Sequence, residues 1–247
     1  MPTLLLSARQ TDDAQKLWRA CIAEKWEVIR LHNWRVPQLE ETDLAIFGEP
    51  LFAQHVASTL GRKLDEPPLE FLPKLPAKWR GRDVQLTTLA EARKILTRAF
   101  IKPTNEKCFD AKVYWTGAEL PPLGVLPGDL PVLVQAVVQW EVEFRCFCLD
   151  RKVVTLSPYW RNDCLAQAED GSWPASLEEL QCAKEICERV LASDSIELPA
   201  AIVLDVGVIE SFGWAVIECN AAFASGIYGC DPVAVLGVLR RACKPTK

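Results

Sequence analysis

Three groups of residues combine types and spacings that can do chemistry. Lys102 closes the apolar run RAFIK just before Pro103, and Lys107 follows a few residues on. A lysine ending a buried strand can aim a compact positive charge at a phosphate, and it can equally be a solvated surface residue. Gln135 follows the apolar Val132, Leu133 and Val134 and offers an amide to a base edge such as adenine. Glu143 and Arg145 stand two apart in an alternating segment, so they share one face of a strand, either as ligand contacts or as a plain surface ion pair. The last group is Asp205 inside AIVLDVG, with Glu218 and Asn220 at the end of WAVIECN. A carboxylate in an apolar strand is unfavourable unless it is paired or binds a cation. A turn from Glu210 to Gly213 folds these two segments into an antiparallel hairpin in which Asp205 and Glu218 can lie opposite each other, two like charges side by side. A divalent cation would relieve that repulsion, and Asp, Glu and Asn oxygens suit magnesium completed by water and phosphate oxygens. Polar residues at a strand end beside a loop are the ordinary alternative.

Hydrophobic periodicity predicts the elements that hold these residues. Residues 3–7 read as a buried strand and 11–24 as a helix capped by Thr11, followed by strands at 27–31 and 43–48. A short helix through Ala53, Val56, Ala57 and Leu60 closes at Gly61. This order suggests a partly parallel sheet with helices against it. Pro67, Pro68, Pro73 and Pro76 mark a boundary over 65–82, dividing the chain into units 1–82 and 83–247. Thr88 then starts a helix to about Thr97, with Glu91 placed for a capping box. Strands are expected at 98–103, 112–115 and 130–138, the last buried on both faces. Another at 141–148 turns at Asp150-Arg151 into a return strand at 152–156, and Ser176 caps a helix to about 192. The fold class is α+β, with α/β character at the N-terminus.

The chain has 247 residues, a formal charge of -5 and no long basic run, so neither nucleic acid nor an anionic membrane is an expected partner. No apolar run reaches the length of about eighteen residues that spans a bilayer. The start MPTLLLSARQ lacks a charged n-region and a long apolar stretch, so the expectation is a cytoplasmic protein. Ten cysteines contain no CxxC pair and only two histidines accompany them, which argues for buried thiols in a reducing compartment rather than a zinc site.

The order of these groups is similar to that of the ATP-grasp superfamily. VEFRCFCLDRKVV resembles the acid-x-Arg-Cys-Phe strand and return strand of glutathione synthetases and of the glutamate ligases that modify a ribosomal protein. WAVIECNAAFASGIYGCDP is similar to the ending of a small bacterial and phage branch of that superfamily. The resemblance covers about residues 98–232, and the first unit fits a pre-ATP-grasp domain in general outline. It implies an ATP-grasp fold in which two α+β subdomains grip the nucleotide. Lys102 would touch the α- and β-phosphates. Gln135 and the backbone of Ala136, Val137 and Val138 would hold adenine, and Glu143 the ribose. Arg145 would meet the γ-phosphate or an acyl-phosphate, and Asp205, Glu218 and Asn220 would bind magnesium. Arg161, in SPYWRN, is a second anion-binding candidate.

Two features depart from the family pattern. The loop PTNEK after Lys102 lacks glycines, so Lys107 takes part of the work of covering the phosphates. The family's upstream lysine has two candidates, Lys78 and Lys94. The implied activity joins a carboxylate to an amine or thiol through an acyl-phosphate, releasing ADP. A phosphotransferase and a nucleotide-binding module without turnover are the alternatives.

Overall fold

The computed structural model describes residues 1–33, 35–39, 43–104, 108–193 and 197–246. The apolar run β1 (Thr3–Leu6) is buried throughout because it is the middle strand of a parallel sheet, between β2 (Glu27–Arg30) and β3 (Leu44–Phe47). Between β1 and β2 runs α1 (Asp12–Ala23), where the Thr11 hydroxyl accepts from the Ala14 N–H at 3.1 Å. Ala14, Leu17 and Cys21 fall on one face at helical spacing and are buried. Next comes α2 (Pro50–Thr59), with its proline in the first turn, where the missing N–H is no loss. A short strand β4 (Arg62–Leu64) ends this part.

The proline-rich boundary is not loose chain. It forms two single-turn helices, α3 (Phe71–Lys74) and α4 (Ala77–Arg80), and buries Phe71, Leu72 and Leu75. A small antiparallel sheet follows, made of β5 (Val84–Thr88), β6 (Ala99–Pro103), β7 (Lys112–Tyr114) and β8 (Pro131–Gln135) in the order β5-β8-β6-β7. The helix expected from Thr88 to Thr97 is only the turn α5 (Leu89–Ala92). Thr88 does accept from the Glu91 N–H, at 3.3 Å, but three residues beyond the helix the Ile95 carbonyl accepts from Gly117 instead of a helical N–H. The strand expected over 130–138 stops at Gln135, the residue paired with Val84 where β5 begins, so the last three residues have no partner strand.

The larger sheet is antiparallel throughout. It comprises β9 (Trp140–Leu149), β10 (Lys152–Arg161), β11 (Cys164–Leu165), β12 (Ala201–Ile209) and β13 (Gly213–Asn220), in the order β11-β10-β9-β12-β13. Asp150 and Arg151 both have positive φ, 46° and 66°, the geometry a two-residue hairpin between β9 and β10 requires. Even-numbered residues of β9 and β12 (Phe144, Cys146, Cys148, Ile202, Leu204) pack in one core with α6 (Leu177–Leu191) and the α3 side chains. Odd-numbered ones (Phe147, Ala201, Val203) join a second core shared with the N-terminal sheet and α7 (Pro232–Ala242). After α7 a terminal strand β14 (Cys243–Pro245) pairs with β4. The second core ties the first 64 residues to the larger sheet, and its odd-numbered face continues into Arg145 and Asp205. Among the described residues no helix is long and apolar enough to cross a membrane. All ten cysteines are free, and six of them are buried.

Candidate functional site

Between the two antiparallel sheets lies a cleft of about 680 Å³. Its floor follows from strand parity. On β6 the side chains of Ala99 and Ile101 enter the core of the small sheet, which turns Phe100 and Lys102 to the cleft. On the larger sheet Arg145 pairs in register with Asp205, and Asp205 with Glu218. Asn220, two residues past Glu218, shares its face.

These side chains converge. Lys102 forms an ion pair with Glu218 across the cleft. Arg145 grips Asp205 with two parallel bonds, Nε to Oδ1 at 3.0 Å and Nη2 to Oδ2 at 2.7 Å. Asn220 Nδ2 bridges the carboxylates, donating to Glu218 Oε1 at 2.8 Å and Asp205 Oδ2 at 3.2 Å. Burial alone would raise the Glu218 carboxyl, but Lys102 and the Asn220 bond outweigh it and hold the group down at about 2. Arg145 is likewise held above its ordinary range, because the Asp205 carboxylate outweighs the penalty of burial. The Arg145 guanidinium also lies 5.2 and 5.0 Å from the ring centres of Tyr159 and Tyr228.

Magnesium fits this donor set. Two carboxylates face one another, and the Asn220 amide nitrogen bridges them as a cation would; with the amide turned over, its oxygen completes a set of three hard donors. Among the described residues no group of three or more His, Cys, Asp or Glu side chains is placed to hold a metal, so the amide is a necessary member.

At the other end, Gln135 and residues 136–138 line the cleft. The Gln135 side chain is engaged at its oxygen: Oε1 accepts from Arg82 Nε at 2.9 Å. The Ala136 N–H is also taken, by the Asp83 carbonyl at 2.9 Å. Within the described residues nothing bonds the peptide groups of Val137 and Val138, so these two present the open hinge backbone. Glu143 accepts from the Tyr159 hydroxyl and is pushed up to about 7, first by burial and then by Asp205 and Glu218, against the opposing pull of Tyr159 and Arg82.

Arg82 is the cleft residue the sequence did not disclose. It precedes β5 and donates from Nη1 to the Val216 carbonyl and from Nη2 to the Ile217 carbonyl, each at 2.8 Å. Those carbonyls are accessible because β13 is an edge strand with a bulge at Ile217. Burial lowers Arg82 to about 10, which still leaves it charged at neutral pH. The guanidinium therefore joins the small sheet to the large one beside Gln135. The only local signal was Gly81, whose φ of 63° ends α4 and turns the chain inward.

Arg161 is not in the cleft. It pairs with Val142, whose side chain is in the opposite core, and bonds Glu179 of α6 at 2.8 Å. Lys78 lies over Trp79 and Lys94 pairs with Glu91, so neither candidate for the upstream lysine lines the cleft. Lys107 lies outside the described residues.

Residues 79–238 match a family model described as an ATP-grasp domain, the second family of its clade. No curated protein matches the chain in sequence. The fold is similar to that of a RimK-domain ATP-grasp protein from Sphaerobacter thermophilus, with a TM-score of 0.56 at 14% identity over 97% of this chain and 98% of the other. It is also similar to an L-amino acid ligase from Bacillus licheniformis, with a TM-score of 0.57 at 12% identity over 98% and 75% of the two chains. A D-alanine–D-alanine ligase from Bacillus anthracis, solved with ATP, gives a TM-score of 0.51 at 15% identity over 98% and 96%.

Proposed function

The chain belongs to the ATP-grasp superfamily, and from that premise we propose that it is an ATP-dependent ligase that activates a carboxylate as an acyl-phosphate and joins it to an amine or thiol. One observation carries this reading: Lys102, Arg145, Asp205, Glu218 and Asn220, drawn from two sheets, meet in a single charge-balanced cluster at one end of a cleft large enough for a nucleotide.

The peptide groups of Val137 and Val138 hold the adenine edge, with Arg82 fixing Gln135 behind them. Glu143 takes the ribose hydroxyls. Lys102 leaves Glu218 for the α- and β-phosphates, and Arg145 faces the γ-phosphate. Asp205, Glu218 and Asn220 would hold magnesium, which would supply charge neutralisation at the phosphates. Attack of the substrate carboxylate on the γ-phosphorus forms the acyl-phosphate and releases ADP. The amine then displaces phosphate. The residues contribute positioning and charge balance, since polyphosphate and carboxylate must meet without repelling one another.

Thermal unfolding tests this directly, with and without a non-hydrolysable ATP analogue, with magnesium or EDTA, for the wild type and Lys102→Ala. At about 100 Kd, ligand linkage contributes about 2.7 kcal/mol, or roughly 5–11 °C for a chain of this size. The expected result is a shift that needs magnesium and shrinks in the variant. No shift in the wild type overturns the proposal.

A further inference from the structure

Beyond the cleft, the N-terminal unit reaches into the same cluster. We infer that Asp13 and Lys16, on α1, are positioning residues for Arg145, acting through the loop of residues 225–229. The inference rests on reading Arg145 as the γ-phosphate contact.

The loop is held by two bonds from α1. The Ile227 N–H donates to Asp13 Oδ2 at 3.0 Å, and Lys16 Nζ donates to the Tyr228 carbonyl at 2.7 Å. Both partners come from the other end of the chain. In the same peptide unit as the Ile227 N–H, the Gly226 carbonyl accepts from Arg145 Nη1 at 3.1 Å. Tyr228 has a φ of 49°, in the left-handed region that a tyrosine enters only when its surroundings enforce it. That backbone stacks its ring on Tyr159, 5.0 Å between centres with 16° between planes, and both rings lie against the Arg145 guanidinium.

Space enforces the same geometry. A Cβ on Gly226 would lie 3.2 Å from Asp13 Oδ2 and 3.7 Å from Arg145 Nη1. A Cβ on Gly229 would lie 2.4 Å from the Trp173 ring, which packs edge-on against Tyr228. Glycines at these two positions let the loop press flat between α1 and the aromatic side chains. Asp13 is half-buried, and burial pushes its carboxyl up against the pull of the Ile227 N–H, Lys16 and Arg145. Arg145 is thus fixed on one side by Asp205 and on the other by a strained loop whose two outer bonds belong to the N-terminal unit.

The test is the affinity for a magnesium-bound non-hydrolysable ATP analogue relative to magnesium-ADP, measured by calorimetry. Asp13→Ala and Lys16→Met are expected to weaken the analogue about tenfold, the weight of one charge-assisted hydrogen bond, with ADP affinity changed by less than about twofold. Asp13→Asn keeps an oxygen for the Ile227 N–H and is expected to retain most of the preference. Arg145→Lys serves as the reference. If it collapses the preference while Asp13→Ala and Lys16→Met leave it intact, the positioning role is overturned and the ligase reading stands. If Arg145→Lys leaves the preference intact, the premise itself fails. A parallel loss of ADP affinity in both α1 variants would reduce the contacts to general structure and overturn the inference. Lys16→Met keeps the apolar stem of a part-exposed side chain, so it keeps the test open should Asp13→Ala fail to fold.

Discussion

The two ion pairs at one end of the cleft have the same composition, one carboxylate and one cation each, and differ in what they connect. Arg145 and Asp205 are neighbours on adjacent strands of one sheet, joined by two bonds, with side chains 10% and 0% exposed. Lys102 and Glu218 come from different sheets and keep side-chain exposures of 19% and 26%. A pair inside a sheet moves only with the sheet, and both its charges depend on each other for solvation. A pair between sheets, reached by water, can separate as the cleft admits a ligand. The first is a fixed part of the fold, and the second is a latch that nucleotide can replace.

Removing the arginine breaks this comparison most severely. Arg145→Met strands Asp205 as a buried unpaired carboxylate, a loss of about 3–5 kcal/mol. For a chain of this size that is a fall in Tm of roughly 6–20 °C. Lys102→Met leaves Glu218 without its cation but partly reached by water, and is expected to lower stability by about 1–3 kcal/mol, less than Arg145→Met. Thermal unfolding of the two variants without ligand measures the difference. Equal losses would erase the distinction between framework and latch.

Glu143 sharpens the comparison, because it is a partly buried cleft carboxylate that neither pair neutralises. Its folded value of about 7 lies above the unfolded value of about 4.3. The folded state therefore holds the proton more tightly. This stabilisation is fully present below the unfolded value and disappears as pH rises through the folded one. Between about pH 4.3 and 7 the wild type is expected to lose roughly 2–3 kcal/mol relative to Glu143→Gln. Urea unfolding across that window reads it, and parallel profiles for the two proteins would remove Glu143 from the account. Since hydroxyls donate best to the ionised carboxylate, nucleotide affinity is expected to rise over the same interval in the wild type and stay level in the variant.

Part of the cluster was legible because strand parity leaves little freedom. The observed register pairs Asp205 with Glu218, but a regular hairpin closing at Ile209 and Gly213 would set Ile217 opposite Asp205, and the bulge at Ile217 is what brings Glu218 there. The same parity put Glu143 and Arg145 on one face. What could not be read depended on contacts between distant segments and on irregularities. Arg82 became visible only when the bulge at Ile217 offered two carbonyls of an edge strand to a residue more than a hundred positions earlier. The α1 contacts to the 225–229 loop join residues more than two hundred positions apart, and neither Asp13 nor Lys16 stands out from other residues on a helix surface. The helix expected from Thr88 had its cap but not its length, since one carbonyl in the following turn was claimed by Gly117.

Arg161 shows how one irregularity redirects a functional expectation, and it supplies the mildest test. Counting from Ser157, which pairs with Arg145, regular alternation would carry position 161 to the cleft face. The register instead shifts between Pro158 and Trp160, so Arg161 pairs with Val142 and leaves on the opposite side. There it meets Glu179 with side-chain exposures of 36% and 27%, an accessible pair unlike the one at Arg145. Arg161→Ala is expected to lower stability by no more than about 1 kcal/mol and to leave the affinity for the ATP analogue unchanged. The calorimetric titration used for Arg145, run beside Lys102→Ala, checks this. A loss of analogue affinity comparable to that of Lys102→Ala would mean that Arg161 reaches the nucleotide after all, and that the bulge rearranges when ligand binds.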